Sequence, residues 1–164
     1  MTVQPTSMPS RPFFLLIAIA SFGLLGYALY LQHVEMLKPC PLCILQRYAF
    51  LGIGLFALLA SLGRATRGLW HGLAMLSGIG GIAVAGYHVW TLLHPTESCG
   101  IDPMQNWINA LPSARVLPEV FRSSGLCSLP LPPIFGISIP VWSLIWLIVL
   151  TLLLIGAMVR RERR

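Results

Sequence analysis

The chain has 164 residues, of which 56% are hydrophobic and 10% are charged, and its mean hydropathy is +0.78. This composition excludes an ordinary soluble domain and predicts a protein that crosses a membrane several times. The formal net charge of +6 would suit a nucleic-acid-binding protein. However, the basic residues cluster beside the apolar segments, which indicates contact with anionic lipid and no nucleic-acid partner.

Four apolar segments are long enough to cross the hydrocarbon core, which takes about 20 helical residues. They cover residues 12–32, 43–62, 69–94 and 139–159. With that much surface for the lipid bilayer and no internal repeat, we expect one all-α domain, residues 1–164, built as a four-transmembrane-helix bundle. The first segment is longer than the apolar part of a typical signal peptide and lacks a clear cleavage site, so we expect it to be retained.

The basic residues also predict the orientation of the bundle. They lie at the N-terminus, between the second and third segments, and at the C-terminus: Arg11, Arg64, Arg67, Arg160, Arg161, Arg163 and Arg164. The positive-inside rule places these three regions, and therefore both termini, in the cytoplasm. Because no organelle-targeting pattern is present, we expect a bacterial inner membrane, with the other two connections in the periplasm.

The second outward connection, residues 95–138, is far longer than the first, which has about ten residues. Long loops in compact domains tend to be functional, so this periplasmic loop is expected to meet an external partner. Its apolar residues predict a short helix that either lies in the membrane interface, anchored by Trp107, or packs on the bundle. The helical spacing is that of Met104, Trp107, Ile108 and Leu111, and it stops at Pro112.

All four cysteines lie in or beside the outward connections. Cys40 and Cys43 mark the start of the second segment, whereas Cys99 and Cys127 lie in the long loop. In an oxidising compartment this even set points to disulfides with three possible pairings. Adjacency makes Cys40 with Cys43 the simplest pair and leaves Cys99 with Cys127. Zinc is disfavoured and no metal is expected, because 27 residues separate Cys99 from Cys127 and a second Cys-x-x-Cys pair is missing.

The pair of Cys40 and Cys43 suits redox chemistry better than fold stabilisation. A bridge across two residues removes little chain entropy from the unfolded state. Cys43 is expected near the first turn of a helix, where unpaired N–H groups and the helix dipole favour a thiolate, and Arg47 adds a positive charge one turn further. For Cys99 and Cys127, the spacing leaves redox and structural roles open.

Arg47 lies one turn inside a membrane helix, where an arginine either anchors the helix at the interface or meets a partner. It could stabilise negative charge that develops on an oxidant beside Cys43, with a hydrogen bond from Gln46. A membrane quinone fits, since its carbonyl oxygens accept hydrogen bonds and it becomes anionic as it takes up electrons. His88 could also donate to a quinone oxygen or be a satisfied histidine of the bundle. The histidines at helix ends, His33, His71 and His94, are expected to be interfacial.

Several motifs together resemble the disulfide bond formation protein B (DsbB) family over nearly the whole chain. They are Cys-Pro-Leu-Cys-Ile-Leu-Gln-Arg at 40–47, the loop cysteines Cys99 and Cys127, Ser-Gly-Leu-Cys at 124–127 and Pro140-x-Trp142. The resemblance implies a four-helix bundle that reoxidises DsbA, a soluble periplasmic thiol oxidase, and passes the electrons to ubiquinone or menaquinone. It also implies that Cys99 forms the mixed disulfide with this partner, Cys127 is its mate, Cys40 exchanges with that pair, and Cys43 engages the quinone.

Three other interpretations make different predictions. An enzyme similar to vitamin K epoxide reductase would carry its dithiol near the last helix. A haem- or quinone-binding electron-transfer protein with structural disulfides would use histidines as axial ligands if it held haem. A non-enzymatic scaffold would lose only stability when its cysteines are replaced.

Overall fold

The computed structural model describes residues 11–63, 65–94, 103–127, 133–134 and 136–162. These residues form seven helices, and no strand occurs among them beyond one isolated bridge between Ile134 and Ile137. In chain order the helices are α1 (Arg11–His33), α2 (Pro41–Leu62), α3 (Arg67–Leu93), α4 (Pro103–Ala110), α5 (Pro112–Val116), α6 (Pro118–Phe121) and α7 (Ile139–Glu162).

By length and composition, α1, α2, α3 and α7 can each cross a membrane, with mean hydropathies of 2.1, 1.9, 1.4 and 2.5 over their apolar windows. The sequence prediction of four such helices is therefore confirmed, and the boundaries differ from the predicted ones by only a few residues. At the Cys-x-x-Cys motif, α2 begins at Pro41, two residues before the predicted start at Cys43. Proline suits the first helical position because its fixed φ matches the helix and its missing N–H is not needed there.

The four long helices share one apolar core. α2 packs against α1 and α3, and α3 packs against α7. Half of the apolar window of α2 is buried, compared with 22–28% for the other three, so α2 is the central helix. The buried core side chains come from all four helices and include Phe14, Ile17, Ile53, Ala57, Ala74, Ala85, Leu147 and Leu154.

Gly81 lets α3 approach its neighbours closely. A Cβ atom at this position would lie 2.7 Å from the Cβ of Ala49 on α2 and 2.8 Å from a methyl group of Leu147 on α7. Small residues at such crossings allow helix backbones to come together in lipid. Gly81 therefore sets the distance between α3 and both of the helices that it contacts.

The three short helices fold back onto the first half of α2. Ile108 of α4, Ala114 of α5 and Phe121 of α6 form a buried cluster with Ile44 of α2. The predicted loop helix is thus present as α4, and the packing alternative is confirmed by Ile108, which is fully buried. Trp107 is 63% exposed, so its proposed role as an interfacial anchor stays a prediction.

The histidines at the helix ends do not all lie at the surface. His33 and His94 are exposed, as expected for interfacial residues. The expectation was wrong for His71, which is 5% exposed, has its Nε2 atom 2.9 Å from the carbonyl oxygen of Leu154, and contacts the ring of Phe14 edge-on. The His71 ring lies one turn inside α3 and contacts residues of α1 and α7. The position of His71 in the sequence does not show which way its side chain points.

Candidate redox site at the start of α2

Cys40 is the N-cap of α2, and its sulfur takes the place usually filled by a serine or aspartate oxygen. Its backbone is extended, with φ −83° and ψ 167°, and its Sγ accepts a hydrogen bond from the backbone N–H of Cys43 at 3.3 Å. This bond satisfies one of the N–H groups that a helix start leaves without a partner. Both sulfurs of the motif therefore lie at the positive end of the α2 dipole.

Three cysteines and one histidine gather at this helix start. The Sγ atoms of Cys40 and Cys43 are 3.0 Å apart. The Sγ of Cys40, the Sγ of Cys127 and a ring nitrogen of His88 all lie within 4.8 Å of one another. The three cysteines in the described part of the chain are free thiols, and Cys99 lies outside the described residues. The fold thus brings a loop cysteine to the Cys-x-x-Cys motif across more than 80 residues of sequence.

The loop segment 122–127 reaches the motif through main-chain hydrogen bonds. The backbone N–H groups of Ser124 and Gly125 both donate to the carbonyl oxygen of Pro39 at 3.0 Å. Gly125 is needed there because a Cβ atom would collide with the carbonyl oxygen of Lys38. The Ser-Gly-Leu-Cys stretch therefore clamps Cys127 against the residues that precede Cys40.

Helix α4 holds the same segment from the other side. The backbone N–H of Ser123 donates to Oδ1 of Asn109 at 2.8 Å, and Nδ2 of Asn109 donates to the carbonyl oxygen of Ser123 at 3.0 Å. Gln105, one turn earlier, donates to that same carbonyl oxygen at 3.1 Å. These residues were not singled out from the sequence, although Gln105 and Asn109 are amides four positions apart, a spacing that places two side chains on the same face of a helix.

The loop thiol Cys127 ionises more readily than Cys40 does. A hydrogen bond from Cys40 lowers the pKa of the Cys127 thiol below its ordinary value, against the opposing effect of burial. The pKa of Cys40 is raised by its hydrogen bonds to Cys127 and Cys43 and by burial. The shared proton therefore stays on Cys40, and Cys127 is the better nucleophile of the two.

His88 faces the sulfur cluster. The ring is 2% exposed, its Nε2 lies 3.5 Å from the Sγ of Cys40, and its Nδ1 lies 3.0 Å from Nε2 of Gln46. With the Gln46 amide as donor, Nδ1 accepts and Nε2 carries the proton that points to Cys40. The proposed contact between His88 and a quinone stays a prediction. Among the described residues, the ring interacts with the side chains of Cys40, Cys43 and Gln46.

Arg47 is buried, and three of its five N–H groups donate to backbone and amide oxygens. Its Nη1 donates to Oε1 of Gln32 and to the carbonyl oxygen of Val120, both at 2.7 Å, and its Nη2 donates to the carbonyl oxygen of Ala28 at 3.4 Å. One guanidinium thus connects α1, α2 and α6. Gln32 was not identified from the sequence, where it is only the last residue of a predicted span. Its proximity to Arg47 depends on how α1 packs against α2.

A cavity of about 280 Å³ opens between α1, α2 and α7, and the side chains of Cys43, Gln46 and Arg47 lie on its wall. His88 is not part of this wall in the described residues. Most of the lining is apolar and includes Leu24, Ala28, Leu31, Phe50, Trp142 and Trp146. Cys43 therefore stands between the sulfur cluster on one side and an apolar chamber on the other.

A bundle of four helices of membrane-spanning length, with thiols collected at the start of its central helix, defines a membrane protein for thiol–disulfide chemistry. The model of the family described as "Disulfide bond formation protein DsbB" matches residues 10–157. The chain belongs to this family and is a disulfide-forming oxidoreductase.

Similar proteins carry the same description over nearly their full length. The chain is 70% identical to "Disulfide bond formation protein B" of Ralstonia nicotianae, with 94% of this chain and 98% of the relative covered. It is 64% identical to the protein of the same name from Cupriavidus pinatubonensis, with 94% and 96% covered. A more distant relative of that name, from Herminiimonas arsenicoxydans, is 45% identical over 93% of this chain and 98% of its own length.

Proposed function

We propose that the chain is a protein-dithiol:quinone oxidoreductase of the bacterial inner membrane, with both termini in the cytoplasm. It reoxidises a periplasmic DsbA-like thiol oxidase and passes the electrons to a membrane quinone, ubiquinone or menaquinone. The observation that carries this proposal is the position of Cys43, which is 3.0 Å from Cys40 and on the wall of an apolar cavity. This one sulfur touches both the thiol-exchange cluster and a chamber suited to a lipid-soluble acceptor.

The thiol-exchange steps follow from the order of the sulfurs. Cys99 accepts the attack of the reduced partner and forms the mixed disulfide, and Cys127 is released as a thiolate. The Cys127 thiolate then attacks Sγ of Cys40 in the Cys40–Cys43 disulfide, so that a Cys40–Cys127 disulfide forms and Cys43 leaves as a thiolate. The proximity of the Cys127 and Cys40 sulfurs, which lie within 4.8 Å of each other, supports this step. The second thiol of the partner breaks the mixed disulfide, which releases the oxidised partner and leaves Cys99 as a thiolate. Attack of Cys99 on Cys127 restores the Cys99–Cys127 disulfide and leaves Cys40 and Cys43 reduced for the acceptor.

The chamber beside Cys43 fits the acceptor in size and chemistry. Its apolar walls suit a hydrophobic ring, and Arg47 and Gln46 supply N–H donors for carbonyl oxygens. When bound, a quinone accepts two electrons and two protons. Arg47 is already held by Gln32 and two carbonyl oxygens, so its positive charge is fixed in place beside Cys43 before any acceptor enters.

The direction of electron flow needs a strong sink. A DsbA-like oxidase has a reduction potential of about −120 mV, and each 30 mV of adverse difference costs about 1.4 kcal/mol in a two-electron exchange. Exchange with an ordinary disulfide would therefore be unfavourable. A quinone acceptor can take up the electrons instead, so the unfavourable exchange with another disulfide is not needed.

The test is quinone reduction by the reduced partner oxidase, with the purified chain in detergent as catalyst. Cys43→Ser is expected to abolish turnover, because the sulfur on the cavity wall is lost. Arg47→Ala is expected to lower turnover by about 100- to 1,000-fold, the range for removing one electrostatic donor. Arg115→Ala is the matched control, because Arg115 is an exposed arginine on α5 and should leave turnover unchanged. Undiminished turnover in Cys43→Ser would rule out the proposed exit of electrons.

A further inference from the structure

We propose that the reduced sulfur cluster is a binding site for a thiophilic divalent d10 ion, Zn²⁺ or Cd²⁺, with Cys40, Cys43, Cys127 and His88 as ligands. The inference goes beyond the oxidoreductase activity, because metal binding would hold the cluster in its reduced form and stop thiol exchange. It rests on the geometry of the four side chains and requires neither a partner protein nor a quinone.

Three of the four ligand atoms already lie within 4.8 Å of one another, and the fourth adjoins Cys40. Zinc–sulfur bonds of about 2.3 Å and zinc–nitrogen bonds of about 2.0 Å place neighbouring ligand atoms about 3.5–3.8 Å apart. Nε2 of His88 is 3.5 Å from Sγ of Cys40, and Sγ of Cys127 lies within 4.8 Å of both. Sγ of Cys43 is 3.0 Å from that of Cys40, and the Cys43 side chain also interacts with His88. The set of ligand atoms within 4.8 Å of one another contains Cys40, Cys127 and His88 but not Cys43, so the Cys43 side chain must move closer for all four to surround one ion.

Three sulfurs and one imidazole form a donor set that zinc uses in closed structural sites. Sequence spacing disfavoured zinc because Cys99 and Cys127 do not form a second Cys-x-x-Cys pair. In the folded chain a second Cys-x-x-Cys pair is not needed, because Cys127 supplies the third sulfur and His88 of α3 is the fourth ligand. Cys99 has no part in the proposed site.

Neighbouring residues supply the outer contacts that such a site needs. For Nε2 of His88 to bind an ion, Nδ1 must carry the proton and donate it. Rotation of the Gln46 amide by half a turn would present its oxygen to Nδ1, which is 3.0 Å from the amide nitrogen. Three thiolates and a divalent ion leave one net negative charge, and Arg47 interacts electrostatically with both Cys40 and Cys43. The buried surroundings therefore contain the counter-charge.

Binding is coupled to the redox state and to protons. The ion displaces the thiol protons of Cys40, Cys43 and Cys127, and three protons leave for each ion bound to the fully protonated cluster. Formation of a disulfide by any two of these cysteines removes two ligands at once. Only the reduced chain is therefore expected to bind the ion tightly.

The test is a titration of the reduced, reductant-free chain in detergent with Co²⁺, a spectroscopic substitute for zinc, followed by displacement with Zn²⁺. The expected result is one ion per chain, visible absorption bands of tetrahedral cobalt and a near-ultraviolet band from three thiolates. Cys127→Ser should lower the thiolate band to about two thirds, because two of three sulfurs remain. Cys99→Ser is the matched control and should keep the full band.

Gln46→Leu adds a test of the outer contact. It should weaken Zn²⁺ binding by about 10- to 100-fold and leave the number of thiolates unchanged. Circular dichroism confirms that each variant stays helical, and Cys127→Ala replaces the serine variant if it does not. A full thiolate band in both substitutions of Cys127, loss of the band in Cys99→Ser, or equal binding by the oxidised chain would overturn the proposal. Because no quinone is present, failure here leaves the proposed electron route standing.

Discussion

Cys40 caps a helix and, in the proposed function, also takes part in thiol exchange, two tasks that are usually divided between residues. Its sulfur accepts the N–H of Cys43 and contacts the other two thiols of the cluster. When Cys40 enters a disulfide with Cys127, its sulfur stays near the helix start, so the exchange requires little movement of α2. In the proposed exchange, Sγ of Cys40 therefore stays in place while its disulfide partner changes from Cys43 to Cys127.

At the residue scale, the lowered pKa of Cys127 predicts a pH profile. Alkylation of Cys127 in the reduced chain should reach half its maximal rate at a lower pH than in the same chain unfolded in detergent, because the folded thiol ionises earlier. Cys40→Ala removes the hydrogen bond that favours the thiolate and should move the midpoint back towards higher pH. Peptide-resolved mass spectrometry after timed alkylation measures both midpoints. Identical profiles for the folded and unfolded chains would contradict the assignment of Cys127 as nucleophile.

The individual roles of several residues follow from tertiary contacts that sequence patterns do not contain. The Cys-x-x-Cys motif and its place at a helix start could be predicted, because capping and helix dipoles act over one turn. The partners of Arg47 and the position of His88 beside Cys40 could not, since they depend on packing between helices that are distant in sequence. Gln32 and Asn109 were missed for the same reason.

At the element scale, α4 to α6 act as a support that keeps the loop thiol in place. Asn109 makes two hydrogen bonds to the backbone of Ser123, and Ser124 and Gly125 are bound to Pro39. These bonds hold residues 123–125 in place, two to four residues before Cys127. The support is polar and short-ranged, so it can be weakened without disturbing the apolar core of the bundle.

Asn109→Ala tests this support. It leaves the N–H of Ser123 without its partner, at a cost of about 1–3 kcal/mol, and should slow formation of the Cys40–Cys127 disulfide by about tenfold or more. Asn106→Ala on the same helix is the control, because Asn106 is exposed. Quenched-flow trapping of the disulfide reports the rate. An equal rate in the two variants would show that the contact does not position Cys127.

The packing of α3 gives a second prediction at this scale. Gly81→Ala should destabilise the bundle by about 1–3 kcal/mol, because the added methyl group overlaps Ala49 and Leu147. Gly80→Ala should be neutral or slightly stabilising, since Gly80 faces open space on the same helix. Unfolding in mixed detergent micelles, followed by circular dichroism, compares the two. Equal stability would argue against close contact at Gly81.

The four long helices were the part of the fold that the sequence predicted best. Each depends on about 20 consecutive apolar residues, a local property that no distant contact needs to support. The short helices α5 and α6 were not predicted, because each spans only five or four residues and is defined by prolines and by packing on α2. The predicted stop at Pro112 is present, but the same proline also begins α5.

In the whole molecule, a single residue, Cys43, lies between the thiol cluster and the apolar cavity. The sulfurs proposed for thiol exchange lie at the start of the central helix, and the cavity between α1, α2 and α7 is mostly apolar. Cys43 belongs to both. In the proposed function, the cavity is therefore necessary for delivery of electrons to the acceptor and unnecessary for exchange with the partner protein.

Single-turnover quinone reduction by the prereduced chain tests this claim most directly when the cavity is filled and all four cysteines are kept. Ala28→Phe places an aromatic ring on the cavity wall, and Ala83→Phe adds the same ring to an exposed position of α3. With both variants folded by circular dichroism, the account predicts at least about tenfold slower quinone reduction in Ala28→Phe alone, equivalent to about 1.4 kcal/mol. Disulfide exchange with the partner should be unchanged in both. Equal quinone reduction by the two variants would contradict the assignment of this cavity to the acceptor.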